Sequence, residues 1–270
     1  MSLKIEDVRY GESNVYSAYV AYPALAKLPL PAVVVIQEAW GLDEHIEDVT
    51  RRFALAGYVA FAPDVFARAA KRPEALTRER LAEVLEVVNI HGQKMFDPEA
   101  RKAVLASEPK EKVDRLVATM TTLFGGLGKP EHVDPVLAAT SFLRDSYAPS
   151  KGRKVGTVGF CLGGKLSAQA AVHDPKLACA AMFYGAPPDE EGVKKITCPV
   201  MGFVGKTDAH VMGAIPAFAD AMKKHGKSYE QTIYEHAGHA FFNDRRPSYD
   251  VDAARDSLAK VLSFFQANLV

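Results

Sequence analysis

Hydrophobic and polar positions along this chain fall into two alternating periods. Residues 31–36, PAVVVI, form a continuous apolar run rich in β-branched side chains. Such a short run, with no polar face, suits a central parallel strand buried on both sides. Over 44–56 the spacing becomes helical, with Ile46, Val49, Phe53 and Ala56 on one face and Gly57 placed to end the helix. Residues 58–62 return to strand and close on Pro63-Asp64. Upstream, 14–22 is the first stretch with strand character, carried by Val15, Tyr16, Tyr19 and Val20. From 154 onward the same grammar resumes. Strands are predicted over 154–161, 177–184, 199–205 and 229–235, and helices over 166–173, 215–225 and 252–268. The last helix turns Leu258, Val261, Leu262 and Phe265 inward. Strand alternating with helix predicts one α/β domain spanning 1–270, built on a doubly wound, mostly parallel sheet with helices on both faces.

Residues 73–128 break this pattern. They carry no strand signal, show helical stretches at 81–88 and 113–124, and end on Gly125, Gly126 and Gly128. The segment is too long for a plain connection and reads as a helical insertion, either a cap near the functional site or peripheral decoration. Neither an internal repeat nor a low-complexity tract is visible.

Composition narrows the function classes. Apolar residues make up 48% and charged residues 24%, an ordinary globular balance. The 33 Lys and Arg cancel the 33 Asp and Glu, leaving no electrostatic case for nucleic acid or a membrane surface as partner. Residues 1–7, MSLKIED, lack the apolar core of a signal peptide, and no apolar run is long enough to span a bilayer, so the cytoplasm is the expected location. Three cysteines, Cys161, Cys179 and Cys198, make an odd count without CxxC or CxxH spacing. Reduced thiols are expected, with no zinc or other metal site.

Candidate chemistry begins at Gly159-Phe160-Cys161-Leu162-Gly163-Gly164, between a predicted strand and a predicted helix. The form G-x-nucleophile-x-G is that of a nucleophile elbow. Its turn is strained, and small residues at Gly159 and Gly163 let strand and helix approach. The helix N-terminus behind Cys161 favours a thiolate, and the Leu162 N–H points where an oxyanion would form. The alternative is a core cysteine at a strand end, which is the better reading for Cys179 and Cys198.

An elbow nucleophile needs a base on a late loop and an acid between the two in sequence. Asp208 follows the strand PVMGFVG, at the sheet edge where catalytic loops gather. His239 follows the next strand behind Gly238, where a tight loop can aim it inward; His236 and His210 are the weaker candidates. In these roles His239 draws the proton from Cys161, and Asp208 fixes the imidazole tautomer.

Four motifs resemble the dienelactone hydrolase (carboxymethylenebutenolidase) family: Gln37-Glu38-Ala39-Trp40-Gly41, Ala62-Pro63-Asp64-Val65-Phe66-Ala67-Arg68, the Cys161 elbow, and Gly238-His239-Ala240-Phe241. The resemblance covers most of the chain outside 73–128 and implies the α/β-hydrolase fold. It assigns Cys161, Asp208 and His239 to the triad and Glu38 to control of the resting cysteine. Ala39 N–H becomes the second oxyanion donor beside Leu162, and Arg68 an arginine for the substrate carboxylate. Tyr184 falls in a stretch lining the pocket, and Trp40 and Phe241, inside matching motifs, are further substrate-binding candidates. The chain departs from the family where a second arginine follows the histidine. Asn243 stands there, leaving Arg245 or Arg246 to complete a pair. Without the resemblance, Glu38 and Arg68 read equally well as members of structural ion pairs.

The resemblance implies a hydrolase cleaving a small-molecule ester or lactone by acyl transfer, without cofactor, as a monomer or homodimer. A general carboxylesterase or thioesterase is the alternative, and a ligand-binding protein or thiol sensor on the same scaffold is a third reading.

Overall fold

The computed structural model describes residues 2–69, 71–127 and 129–270. Met1, the first residue of the N-terminal stretch MSLKIED, and Gly128, the end of the predicted insertion, lie outside the described residues. Eight strands form one sheet: β1 (Leu3–Tyr10), β2 (Tyr16–Pro23), β3 (Ala32–Ile36), β4 (Val59–Pro63), β5 (Val155–Phe160), β6 (Cys179–Phe183), β7 (Val200–Gly205) and β8 (Tyr229–Tyr234). Their spatial order is β1-β2-β4-β3-β5-β6-β7-β8. Antiparallel pairing is confined to β2 with its neighbours β1 and β4; β4 through β8 run parallel. The mostly parallel sheet expected from the alternation is therefore present.

The first strand is a finding the hydrophobic pattern did not predict. β1 reads LKIEDVRY and buries only Tyr10, because it is an edge strand whose charged residues face water. It pairs with β2 along its whole length, from Leu3 opposite Pro23 to Tyr10 opposite Tyr16. By contrast, β3, β4, β5, β6 and β7 are buried at every position, which is why they read as unbroken apolar runs.

Helices cover both faces. On one side, α1 (Glu44–Leu55) packs Ile46, Val49 and Phe53, and α9 (Val251–Leu269) packs Val261, Phe265 and Leu269. The cap of α1 is Asp43, whose carboxylate accepts from Ile46 N–H at 3.0 Å. Ala56, expected on the inner face, instead lies exposed just past the helix, and Gly57 follows at φ +100°. The opposite face carries α5 (Asp134–Asp145), α6 (Leu162–His173), α7 (Glu190–Lys195) and α8 (Ile215–Lys224). The helix predicted from 166 in fact starts at Leu162, directly behind Cys161. α5 went unpredicted, although Val136, Ala139, Thr140 and Leu143 keep helical spacing and are all buried.

The segment from 73 is helical, as its composition implied: α2 (Arg78–His91), α3 (Pro98–Val104) and α4 (Lys110–Gly126). Leu81, Val84, Val88, Leu116, Met120 and Leu123 join the same buried cluster as Trp40, Val65 and the α5 and α6 residues. The insertion thus extends the core on one side of the sheet. Among the described residues no helix is long and apolar enough to cross a membrane.

Backbone approach is closest where β3, β5, β6 and α6 meet. A Cβ on Gly159 would lie 1.8 Å from the Gly163 carbonyl oxygen, and one on Gly163 would lie 2.2 Å from that of Ile36. These are backbone atoms inside a packed sheet and cannot yield. Gly163→Ala is therefore expected to cost upward of ~3 kcal/mol, read as a lowered urea midpoint. Gly125→Ala, at an open position in α4, is expected to be neutral or to stabilise by up to ~1 kcal/mol.

Candidate functional site

Cys161 occupies the turn between β5 and α6 with φ 54° and ψ −112°, a conformation L residues rarely adopt. Its N–H donates to the Phe183 carbonyl at 3.0 Å, and its own carbonyl accepts from Lys165 N–H at 3.2 Å. The elbow is thereby tied to β6 on one side and to the first turn of α6 on the other. The thiol is half-buried and borders a cavity of about 250 Å³ shared with Leu127, Lys165, Tyr184, His210 and His239. Leu127 brings the end of the helical insertion to the rim.

Asp208 and His239 reach the site from the loops after β7 and β8. Thr207 joins the two loops, since its N–H and its hydroxyl both donate to the Ala237 carbonyl, at 3.1 and 2.9 Å. Gly205 permits that approach; a Cβ there would lie 2.5 Å from the same carbonyl oxygen. The Asp208 carboxylate is fully buried and its Oδ2 accepts from His239 Nδ1 at 2.7 Å. The other oxygen accepts from His210 N–H at 3.1 Å. With Nδ1 bound to a carboxylate, the ring proton sits there and Nε2 is left for the cavity side. Burial alone would lower the His239 pKa. Hydrogen bonds to Asp208 and Cys161, with the charges of both, outweigh burial and hold it up to about 10. His236 is exposed and away from this cluster, and His210 stands at the cavity edge with its ring 6.1 Å from that of His239.

Beneath the elbow, Glu38 is 2% exposed and both its oxygens are used. Oε1 accepts from the Tyr184 hydroxyl at 3.0 Å, and Oε2 from Asn243 Nδ2 at 2.9 Å. Burial and the Glu38 carboxylate push the Tyr184 pKa well above its ordinary value, which keeps the hydroxyl a donor. Asn243 thus fills, as a neutral donor, the place where the resemblance led one to look for an arginine. The backbone N–H groups of Leu162 and Ala39 have no hydrogen-bond partner among the described residues.

The remaining candidates are spread over neighbouring cavities. Arg68 donates to the carbonyls of Val65, Ala67 and Glu131, each at 3.0 Å, and lies over the Tyr16 ring. It lines a separate cavity of about 220 Å³ with Phe66, Lys129 and His132. Trp40 faces a third, of about 360 Å³, with Glu44, Leu81 and Arg245. Phe241 is fully buried and packs behind Tyr184 and Tyr234, with ring centroids 5.2 and 5.1 Å away. Lys165 and Leu127 were not anticipated. Lys165 was findable from its place four residues after Cys161, on the first turn of α6; Leu127 lacks any such signal.

A doubly wound parallel sheet, an elbow at the C-terminal end of β5 and a histidine–aspartate pair on the next loops but one define an α/β-hydrolase. The family model described as the dienelactone hydrolase family matches residues 16–269, and the chain belongs to that family. Similar proteins include provisionally named carboxymethylenebutenolidases. That of Saccharolobus solfataricus is 32% identical over 92% of this chain and 93% of its own. That of Synechocystis is 29% identical over 94% and 92%. Among solved structures, a dienelactone hydrolase-like promiscuous phosphotriesterase from metagenomic libraries has a TM-score of 0.70 at 19% identity, covering 100% of both chains. A provisionally named dienelactone hydrolase from Klebsiella pneumoniae has a TM-score of 0.66 at 24% identity, covering 98% of this chain and 99% of its own.

The charge on His239 is open to a direct test. Its imidazole proton resonances are expected to titrate well above neutrality, and the midpoint is expected to fall in both Asp208→Asn and Cys161→Ala, because each removes a group that raises it. The sign for stability follows from the same shift. A histidine raised from 6.5 to about 10 contributes stability fully present below about pH 6.5 and lost as pH rises through about 10. The melting-temperature gap between wild type and His239→Gln should shrink over that window. A gap independent of pH would refute the assignment.

Proposed function

We propose that this hydrolase cleaves an ester or lactone by acyl transfer through Cys161, with His239 as acid and base and Asp208 as its orienting partner. The observation that carries this reading is the 2.7 Å bond from His239 Nδ1 to the buried Asp208, which directs the other ring nitrogen to the strained Cys161 elbow.

The Cys161 thiolate attacks the carbonyl carbon. A C–S bond forms, and the carbonyl electron pair moves to an oxyanion beside the unpartnered N–H groups of Leu162 and Ala39. Each such donor typically contributes ~3 kcal/mol in the transition state. As the C–O bond breaks, the imidazolium of His239 protonates the leaving oxygen. Neutral His239 then takes a proton from water, hydroxide adds to the thioester, and the acid leaves as the C–S bond breaks. A thiolate is itself a good leaving group, so the enzyme suits activated esters and enol lactones, whose leaving oxygens are weak bases. Glu38 serves as a fixed acceptor that holds Tyr184 and Asn243 against the site.

A wider esterase or thioesterase range is favoured by one specific observation. Asn243 stands where the resemblance places an arginine, Arg68 is bound to three carbonyls, and among the described residues no arginine lines the cavity beside Cys161.

Turnover of a panel of lactones, thioesters and p-nitrophenyl esters is expected to fall at least ~1,000-fold in Cys161→Ala. Unchanged turnover on every hydrolysed substrate would exclude this nucleophile. Iodoacetamide is expected to label Cys161 before Cys179 and Cys198, which are buried and whose pKa values burial raises, that of Cys198 to about 11.

A further inference from the structure

α4 buries Leu116, Met120 and Leu123 on one face, and Leu127 follows at the next step of the same helical spacing. The first three lie inside the core. Leu127 packs against that core but stays half-buried, because the helix ends there. It lines the cavity of about 250 Å³ beside Cys161. The helical insertion thus gives the site an apolar wall, from a side chain whose spacing marks it as core.

Val211 forms a second wall. It comes from the loop after β7, donates its N–H to the Asp208 carbonyl at 3.3 Å and packs on Val204 and Ile215. Its neighbour His210 has its ring 6.1 Å from that of His239. Leu162, on the first turn of α6, belongs to the buried cluster on which Leu127 rests. One wall is therefore carried by the Asp208 loop, on the His239 side, and the other by α4 and α6.

His239 protonates the leaving oxygen in the reading above, which puts the leaving group toward Val211 and the acyl chain toward Leu127. Space is limited, since about 250 Å³ falls below the ~300 Å³ at which pockets begin to hold drug-sized ligands. Among the described residues no carboxylate lines this cavity, and the Tyr184 hydroxyl is spent on Glu38. Lys165 is the one charged group on the α6 side.

We infer that Leu127 is a specificity-determining residue: it closes the acyl side of the cavity, so that short, uncharged acyl chains are preferred over long ones. The inference rests on the acyl-transfer reading for which end of the ester meets which wall. Up to the wall, each methylene buried raises kcat/KM by about four-fold. Beyond it, a longer chain meets a side chain anchored through α4 in the core and gains nothing.

Across p-nitrophenyl esters, kcat/KM is expected to rise from acetate to butyrate and to fall toward octanoate. The octanoate-to-butyrate ratio should rise at least ~10-fold in Leu127→Ala and fall at least ~10-fold in Leu127→Phe. Such ratios are independent of the folded fraction, so a merely structural role would leave them unmoved. Lys165→Met should leave this ratio unchanged. Varying the alcohol instead, from ethyl to octyl butyrate, should show no effect of Leu127→Ala. Alkylation of Cys161 by N-butyl- and N-octyl-iodoacetamide reads the same wall without turnover, and the octyl reagent should gain at least ~10-fold on the butyl one in Leu127→Ala.

An octanoate-to-butyrate ratio unmoved in both Leu127 variants would overturn the inference, as would an equal shift in the alcohol series. So would a wild-type preference for p-nitrophenyl hydrogen succinate over the butyrate that Lys165→Met abolishes. Full activity of Cys161→Ala would sink the acyl-transfer reading, while the alkylation rates would still decide whether Leu127 bounds the space beside Cys161.

Discussion

At the centre of the molecule, backbone meets backbone at distances that no side chain permits. Gly159 and Gly163 let β5 and α6 close on each other, and Gly163 also abuts the end of β3. Cys161 is caught between these contacts and forced to φ 54°. The strain is sustained because β3, β5 and β6 are each buried throughout and hydrogen-bonded on both sides. Most of the groups around Cys161 are then positioned by strand register. β3 delivers Glu38 and Ala39 just beyond its end, β6 delivers Tyr184, and β7 and β8 deliver the loops of Asp208 and His239. A parallel sheet brings the C-terminal ends of successive strands to one edge, so distant segments converge without a dedicated scaffold.

That logic explains what was legible in the sequence. The buried strands announce themselves because a two-sided burial leaves no polar position in AVVVI or VGTVGF. The elbow is legible because its glycines are a steric requirement. β1 was missed because an edge strand has little to bury; its signal is a charged alternation that a turn or a helix end could equally carry. α5 was missed for a different reason. It sits between a glycine-rich segment and β5, and its apolar stripe relies on Ala139 and Thr140, small or polar residues that weigh little in a hydrophobic pattern. Tertiary pairing was not legible at all. Asn243 on Glu38 spans 205 residues, and only the sheet order brings the two together.

Electrostatics at the site is arranged in two tiers. Around His239, a fully buried carboxylate and the Cys161 sulfur favour positive charge on the ring despite its burial. Around Glu38, two neutral donors absorb the carboxylate, so this buried charge does not compete for His239. Asn243 gives that carboxylate a hydrogen bond without adding a charge.

The loop beyond His239 is braced against the rest of the fold. Asp244 binds Arg52 of α1 at 2.9 Å, and Asp250 N–H donates to the Phe241 carbonyl at 3.0 Å, so the loop is held at both ends. Asn243 fixes its start to Glu38, and the Asn243 side chain also accepts from Arg245 N–H at 3.0 Å. The Arg246 guanidinium lies over the Trp40 ring, 5.3 Å from its centroid. The surface on which it rests is equally constrained. Trp40 meets Phe124 of α4 edge-on, with centroids 6.1 Å apart, and Phe124 in turn packs against Phe96 of the insertion at 5.1 Å. An insertion whose core is continuous with the main one thus backs the indole on which the guanidinium lies. Contact between the insertion and the stretch 37–41 therefore runs through Phe124 of α4.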